Sequence, residues 1–193
     1  MKPFLSILLT TFLFLNFACS GTQKEEAKNL FTDKGTNWSV QGDAIWQFED
    51  DILTGDSSSG DGFVITKNKY MNFILTLEFK PDKNVNSGIF VRCKNTEMSA
   101  TECHEINVWD NHPVQENRTG AIVTKTTPTL FYNTIGKWNA YKIKCENNKI
   151  EVYLNEDLVA EYASNPAPLG VIGLQSAKGG KISFKNIQLK KLQ

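Results

Sequence analysis

The chain is poor in metal-binding side chains and has no excess of charge. Its 193 residues include only two His and four Cys, and no two Cys stand in a Cys-x-x-Cys spacing. This scarcity argues against a His-rich metal centre and against a structural zinc site. Lys and Arg together number 21, and so do Asp and Glu. Because a neutral chain lacks the basic surplus that binds phosphate backbones, we expect no nucleic-acid partner.

Long apolar runs are also lacking, except at the N-terminus. Lys2 precedes an apolar run over residues 4–15, which is shorter than the ~20 residues that a membrane span needs. Small residues follow over 18–21. This order is typical of an export signal. We therefore predict a signal peptide over residues 1–18.

A Cys directly after such a run resembles the cleavage site of bacterial lipoproteins. That residue is Cys19, although Asn16 stands where Leu is usual, and the alternative is an ordinary secretory cut near Ala18. We predict lipid attachment at Cys19 and a polar, flexible tether over 19–28. The protein is then expected in the bacterial cell envelope, lipid-anchored or periplasmic. Its membrane contact would be the N-terminal anchor alone. Disulfides can persist in this compartment.

The remainder of the chain alternates between apolar and polar residues in short runs. Gly, Asn and Asp separate these runs, which predicts β-strands and no amphipathic helix. No interior linker or internal repeat divides the chain. We predict a single all-β domain over residues 29–193, folded as an antiparallel β-sandwich.

Three local patterns make this prediction more detailed. Asn147-Asn148 predicts a hairpin turn, because Asn tolerates positive φ. A slip of the apolar phase over residues 184–187 predicts a β-bulge. The strands predicted at 171–175 and 181–192 are expected to pair with each other across residues 177–180.

A candidate ligand surface lies on the strand predicted over residues 103–110. Ile106 and Val108 form its apolar face, while Glu105, Asn107 and Trp109 share the other face. An indole can stack on a sugar ring while the carboxylate and the amide bind its hydroxyls. This row therefore favours a carbohydrate-binding surface. The alternative is an exposed strand face with an incidental aromatic residue.

Charged residues near this row suggest acid–base chemistry. Glu105 and Asp110 are a carboxyl pair, but residues five apart on a strand face opposite sides, so Glu105 is the stronger candidate. Arg92 is out of phase with Ile89 and is expected to share the face of Phe90. Taken alone, a single Arg on a strand is usually a solvated residue.

Two cysteines flank this region. Cys93 and Cys103 stand on either side of a nine-residue connection. If their strands pair as a hairpin, the two sulfurs can form a disulfide that makes the loop rigid. Cys145 is left over and is predicted to be a buried apolar residue.

Short motifs follow one another over about residues 29–192 in the order found in one known family. In this ordered set the chain resembles the DUF1080, or 3-keto-disaccharide hydrolase, domain family, which implies a concanavalin/glucanase-type jelly roll. Three positions depart from the family pattern: Glu156 replaces Gly, Lys185 replaces Arg, and Ala177 replaces a His. The motifs are Leu30-Phe31, Trp38, 86–92, 105–110, 118–123, 136–139, 153–155, 170–175 and 184–187.

The resemblance implies a hydrolase or lyase acting on 3-keto-glycosides. A ketone at C3 acidifies the hydrogen at C2, so a base can form an enolate that expels the aglycone from C1, and water then adds. Glu105 would be the base, tuned by Arg92, and Asp110 is the second carboxyl. Arg92 or Arg118 would stabilise the enolate. The residues implied to hold the sugar are Asn107, Trp109 and Gln175.

No cofactor is predicted with this reaction. Some members are expected to use a divalent cation, and Glu105, Asp110 and His112 are the cluster that could hold one here. Two other functions remain open. One is a non-catalytic carbohydrate-binding module of a surface lipoprotein, which the loss of the His at Ala177 favours. The other is a surface adhesion or assembly domain.

Overall fold

The structure is a computed structural model that describes residues 26–30, 36–163 and 169–192. The predicted signal peptide and Cys19 lie outside the described residues. Within those ranges the chain forms thirteen β-strands, a 3-10 helix at Gln115–Asn117 and no α-helix. The strands are β1 (Lys28–Asn29), β2 (Trp38–Gly42), β3 (Ile45–Glu49), β4 (Ile52–Asp56), β5 (Gly62–Thr66), β6 (Phe73–Pro81), β7 (Ser87–Cys93), β8 (His104–Val108), β9 (Asn139–Glu146), β10 (Lys149–Leu154), β11 (Asp157–Ala163), β12 (Val171–Ser176) and β13 (Lys181–Lys191).

The strands form two antiparallel sheets packed face to face. One sheet has eight strands in the order β11-β10-β9-β6-β13-β4-β3, with β1 added on β13. The other has five strands in the order β2-β5-β12-β7-β8. The predicted all-β sandwich is confirmed. In the described part of the chain, no helix is long and apolar enough to cross a membrane.

The core lies between the sheets and follows the alternation of the sequence. In β6 every second residue is buried, from Phe73 to Phe79, and Ile106 and Leu174 face them from the five-stranded sheet. Burying a side chain of this size contributes about 2 kcal/mol. Since the inner residues of each strand are thereby fixed, their neighbours must point to the outer face of the sheet.

Several local predictions are confirmed. The Asn147 turn has a φ of 51° and joins β9 to β10. The bulge in β13 appears as a register shift against β6 between Lys185 and Gln188. Cys145 is buried with a free thiol. Lys28, the last residue of the predicted tether, pairs with Leu189 of β13 and so belongs to the sheet.

The predicted pairing of the last two strands is wrong. β12 pairs with β5 and β7, whereas β13 pairs with β4 and β6, so the two strands lie in different sheets. The connection over residues 177–180 therefore crosses from one sheet to the other. Side chains distant in sequence hold it there: Asp61 accepts a hydrogen bond from the Lys178 backbone and Asp82 accepts one from the Lys181 backbone. A short Gly-containing connection fits a hairpin equally well, so local sequence could not distinguish the two.

Candidate functional site

The outer face of the five-stranded sheet carries a row of polar residues. Asn107 of β8 pairs with Gly88 of β7. Leu174 of β12 pairs with Ile89, which places Gln175 beside Gly88 on the other side. The Ser87 hydroxyl donates to the Gln175 carbonyl at 2.6 Å and fixes this register. Asn107 and Gln175 therefore flank the bare backbone at Gly88.

Glu105 lies over the same glycine. It pairs with Phe90, two residues along the strand from Gly88. A Cβ placed on Gly88 would be 2.9 Å from Oε1 of Glu105 and 3.2 Å from the Phe90 ring. The contact with Oε1 is closer than real Cβ atoms make, and the contact with the Phe90 ring is tighter than most of them. The space above Gly88 is therefore occupied by the carboxyl group. A glycine inside a strand often marks such a close approach, so Gly88 is a sequence signal for the position of the Glu105 side chain.

Burial sets the protonation of this carboxyl. Removing Glu105 from water disfavours its charged form and raises its pKa from 4.5 to about 7. Among the described residues no ion pair involves Glu105. A carboxyl with a pKa near neutrality can hold or release a proton under physiological conditions, as a general base must.

Two buried oxygens beside Glu105 have no hydrogen-bond donor among the described residues. The Asn107 side chain is 1% exposed and donates from Nδ2 to the Asn117 carbonyl, while its Oδ1 is unpartnered. The Oε1 of Gln175 is also buried and unpartnered. Buried carbonyl oxygens rarely lack a donor, because each unmade bond costs about 1–3 kcal/mol. Both oxygens are therefore acceptors that no donor of the described residues satisfies.

The long connection after β8 explains why Asn107 is buried. The Asn107 backbone N donates to the Ala121 carbonyl, and the Asn107 carbonyl accepts from the Gly120 N. The Tyr141 hydroxyl also donates to the Asn107 carbonyl, at 2.7 Å. The segment that carries Asn117 therefore folds back over the end of β8. Alternation in the sequence placed Asn107 on the correct face, but it could not show this cover.

Arg92 lies on the opposite side of the sheet from Glu105. It is fully buried between the sheets, and its Nη2 donates to the carbonyls of Asn147 at 2.7 Å and Met71 at 3.3 Å. The prediction that it shares the face of Phe90 is wrong. Arg92 has a φ of +56° and stands where the register of β7 against β12 shifts. This bulge reverses the alternation, so Arg92 does not tune Glu105.

The same bulge carries the next residue outward. Cys93 joins Phe90 in a small apolar cluster on the outer face, and it forms the predicted disulfide with Cys103, with the Cα atoms 4.1 Å apart. The loop closed by this bond folds Met98 over Gly173, where an added Cβ would lie 2.6 Å from its sulfur. Glu105, which pairs with Phe90, thus lies beside an apolar cluster that the disulfide cross-links.

Asp110 and Arg118 are engaged within the connection after β8. The Asp110 carboxylate accepts hydrogen bonds from the backbone N of Thr134 at 2.6 Å and from its hydroxyl at 2.9 Å. Arg118 donates to Gln115 at 3.2 Å and to the Tyr132 carbonyl at 2.8 Å. The structure does not bring either charge to Glu105.

Trp109 stands at the end of the row, just beyond β8. Its ring contacts that of His112 edge-on, with the centroids 4.5 Å apart. The Nζ of Lys178 lies 5.3 Å from the Trp109 ring centroid. The sequence did not point to Lys178, because the turn that carries it follows β12, which is remote from Trp109 in the chain.

The residues considered for a divalent cation do not assemble. Asp110 is hydrogen-bonded to Thr134. Nδ1 of the His112 ring lies 2.7 Å from the Val114 carbonyl oxygen and 3.0 Å from the Val114 backbone N. Across the ranges that the structure describes, no three His, Cys, Asp or Glu side chains form a group that could hold a metal. The donor set of Glu105, Asp110 and His112 therefore does not fit a cation.

The fold and this face together define a β-sandwich that carries a half-buried carboxyl and two buried, unpartnered side-chain oxygens on one sheet. The chain belongs to the 3-keto-alpha-glucoside-1,2-lyase-like domain family, whose model matches residues 26–190. This agrees with the family resemblance drawn from the ordered motifs.

Known proteins similar to the chain include one curated relative and two solved structures. The chain is 30% identical over 145 residues to a 3-keto-disaccharide hydrolase of Bacteroides thetaiotaomicron, an alignment that covers 61% of this chain and half of that protein. A putative glycosyl hydrolase of Parabacteroides distasonis is 27% identical with a TM-score of 0.74, covering 86% of this chain and 100% of that one. The carbohydrate-binding module CBM66 of Bacillus subtilis shares the fold, with a TM-score of 0.64 at 16% identity, covering 81% of this chain and 96% of that one.

Proposed function

We propose that the protein cleaves the glycosidic bond of 3-keto-glycosides, with Glu105 as the general base. The observation that carries this proposal is the position of the Glu105 carboxyl over Gly88, beside the unpartnered oxygens of Asn107 and Gln175. The family and the names of the relatives support the same substrate class.

The reaction begins with the transfer of the C2 hydrogen, as a proton, to the Glu105 carboxylate. The electrons of the C2–H bond form a C2=C3 double bond, and the electrons of the C3 carbonyl move to its oxygen. When the carbonyl re-forms, a C1=C2 double bond replaces C2=C3 and the C1–O bond breaks. The aglycone leaves with that electron pair and takes the proton held by Glu105, which restores the carboxylate. Water then adds across C1=C2, which gives the free 3-keto sugar.

The other residues would bind and orient the sugar. The side-chain oxygens of Asn107 and Gln175 would accept hydrogen bonds from its hydroxyls, and Trp109 would border the ring. Asp110 and Arg118 would maintain the connection that covers Asn107, since their polar atoms are engaged there.

A product assay tests this proposal. The full chain is incubated with a 3-keto-disaccharide and, separately, with its unoxidised parent. We expect aglycone release from the first only, and loss of that release in Glu105→Gln. Glu49→Gln, an exposed carboxyl on β3 of the other sheet, is the matched control and should release at the wild-type rate. Equal release by Glu105→Gln and wild type would remove the proposed base.

A second candidate is a non-catalytic carbohydrate-binding module. It is favoured by the unpartnered oxygens of Asn107 and Gln175, which would bind hydroxyls whether or not a reaction followed. In that case both sugars bind saturably without release, and Trp109→Ala weakens binding while Glu105→Gln does not. If neither sugar binds, both carbohydrate functions are excluded.

We also propose that the protein is exported and lipid-anchored through Cys19 in the bacterial cell envelope. The support is the order of charge, apolar run and small residues around Cys19. Labelling of cells with an alkyne-bearing fatty acid should mark the wild-type protein and not Cys19→Ala. Equal labelling of the two would exclude this anchor.

A further inference from the structure

The proposed reaction leaves one electrostatic demand unmet. Proton abstraction from C2 places negative charge on the C3 oxygen, and a site lowers that barrier by presenting fixed positive charge or donors. Arg92 points into the core, and Arg118 is bonded to Gln115 and Tyr132. The two cations expected from the sequence are therefore committed elsewhere, and the inference that follows rests on the proposed function.

The connection between β12 and β13 brings another cation to this face. Lys178 has a φ of +67°, a conformation that L-residues adopt at a cost. Its backbone N donates to Oδ1 of Asp61 at 2.9 Å, and the preceding Ala177 forms a two-way backbone bridge with Asn86. Because strained backbone persists only where its surroundings hold it, the origin of the Lys178 side chain is fixed.

The Lys178 ammonium group lies against Trp109 and is not neutralised. Its Nζ is 5.3 Å from the Trp109 ring centroid, within the range of a cation–π contact. The side chain is exposed, and none of the ion pairs in the described residues includes it. The Asp61 carboxylate binds the Lys178 backbone rather than the ammonium.

Strand register places Glu105 and the Lys178 backbone on opposite sides of the Asn107–Gln175 pair. Glu105 precedes Asn107 by two residues on β8, which is about 7 Å along a strand. Ala177 follows Gln175 by the same spacing on β12, and Lys178 comes next. A sugar ring held by Asn107 and Gln175 would thus have the Glu105 carboxyl on one side, and the Lys178 ammonium could reach it from the other side on its four-carbon stem.

We propose that Lys178 is a catalytic residue whose ammonium stabilises the enolate oxygen at C3, and that Trp109 positions it. During the reaction the C2 proton passes to Glu105 while negative charge appears on the C3 oxygen beside Lys178. Lys178 forms no covalent bond and stays protonated. Its positive charge balances the negative charge of the enolate oxygen until the carbonyl re-forms and the aglycone leaves. This assigns to Lys178 the role that sequence reasoning gave to Arg92 or Arg118.

Steady-state kinetics of the full chain with a 3-keto-disaccharide test this assignment. Lys178→Met should lower kcat about 100-fold with little change in KM, the size of effect seen when a transition-state donor is lost. Lys178→Arg keeps the charge and should retain most of the rate. Lys191→Met, an exposed lysine at the end of β13, should equal wild type. Thermal unfolding of Lys178→Met checks that the fold is intact.

Exchange of the C2 hydrogen in D2O supplies a second readout, because it measures enolate formation separately from aglycone departure. We expect Lys178→Met to slow exchange as much as it slows release. If the wild type releases aglycone and Lys178→Met does so at the same rate, the role of Lys178 is overturned. Slowed release with normal exchange would also overturn it, because Lys178 would then act as a proton donor to the aglycone. Absence of release by the wild type would instead refute the proposed function.

Discussion

Glu105 occupies the space that a side chain at position 88 would need. A Cβ on Gly88 would stand 2.9 Å from Oε1 and 3.0 Å from Cγ of Glu105. The strand pairing of Gly88 with Asn107 and of Phe90 with Glu105 keeps the backbones in place, so the Glu105 side chain is the part that would have to move. The carboxyl is therefore positioned by the absence of a side chain on the neighbouring strand.

Gly88→Ala should consequently displace the Glu105 carboxyl. We expect a loss of about 1–3 kcal/mol in the free energy of unfolding, as for other overpacked sites, and a large loss of aglycone release. Gly173→Ala is the matched control, since its Cβ would meet the flexible end of Met98 and leave Glu105 in place. Urea unfolding and the release assay measure the two effects. Wild-type release by Gly88→Ala would show that the carboxyl is not held in this way.

The pKa of Glu105 predicts how activity depends on pH. A base must be deprotonated, so kcat/KM for release should rise with pH through a midpoint at about 7. A fall of the rate as the pH rises through 7 would instead indicate that the protonated carboxyl is the active form.

Stability should depend on pH in the opposite direction. The pKa of Glu105 is higher in the folded protein than its ordinary value of 4.5, so the folded state holds its proton more tightly than the unfolded state. The resulting stabilisation is fully present below pH 4.5 and is lost as the pH rises through about 7, by up to about 3 kcal/mol. Urea unfolding at several pH values should show this decrease in wild type and a smaller one in Glu105→Gln. Identical pH profiles for the two proteins would contradict it.

The disulfide should contribute to stability. The bond between Cys93 and Cys103 closes a loop with a sequence separation of 10, and a loop of this size predicts about 3 kcal/mol. We expect the double variant Cys93→Ser/Cys103→Ser to lose stability by about that amount in urea unfolding. Reduction of the wild type should produce the same shift, whereas the reductant should leave the double variant unchanged.

Arg92→Ala should destabilise the protein without altering the chemistry of Glu105. Truncation empties a fully buried volume and removes the donor to the carbonyls of Met71 and Asn147, which predicts a loss of about 2–5 kcal/mol. The midpoint of the pH–rate profile should stay where it is in wild type. A shift of that midpoint would restore Arg92 as an electrostatic partner of Glu105.

The alternation of residues was sufficient to predict the β-sandwich and the face of Glu105 and Asn107, because each strand buries one side against a single core. It failed at Arg92, where one residue with positive φ reverses the alternation. A bulge of this kind leaves no mark in composition, and a buried guanidinium bonded to two carbonyls cannot be distinguished in sequence from a solvated one.

The other errors concern contacts between remote segments. Lys178 meets Trp109, and Asp110 meets Thr134, through connections whose course depends on the whole sandwich. The crossing of residues 177–180 between the sheets is of the same kind. Such contacts are fixed by tertiary packing rather than by local preference. Only the site residues that lie on strands could therefore be predicted from the sequence.

This crossing has a consequence for how the protein is made. β12 is the middle strand of the five-stranded sheet and β13 lies inside the eight-stranded one, so the final segment of the described chain supplies an interior strand to both layers. Neither layer can close while that segment is still inside the ribosome. The sandwich should therefore form only after β12 and β13 have both emerged.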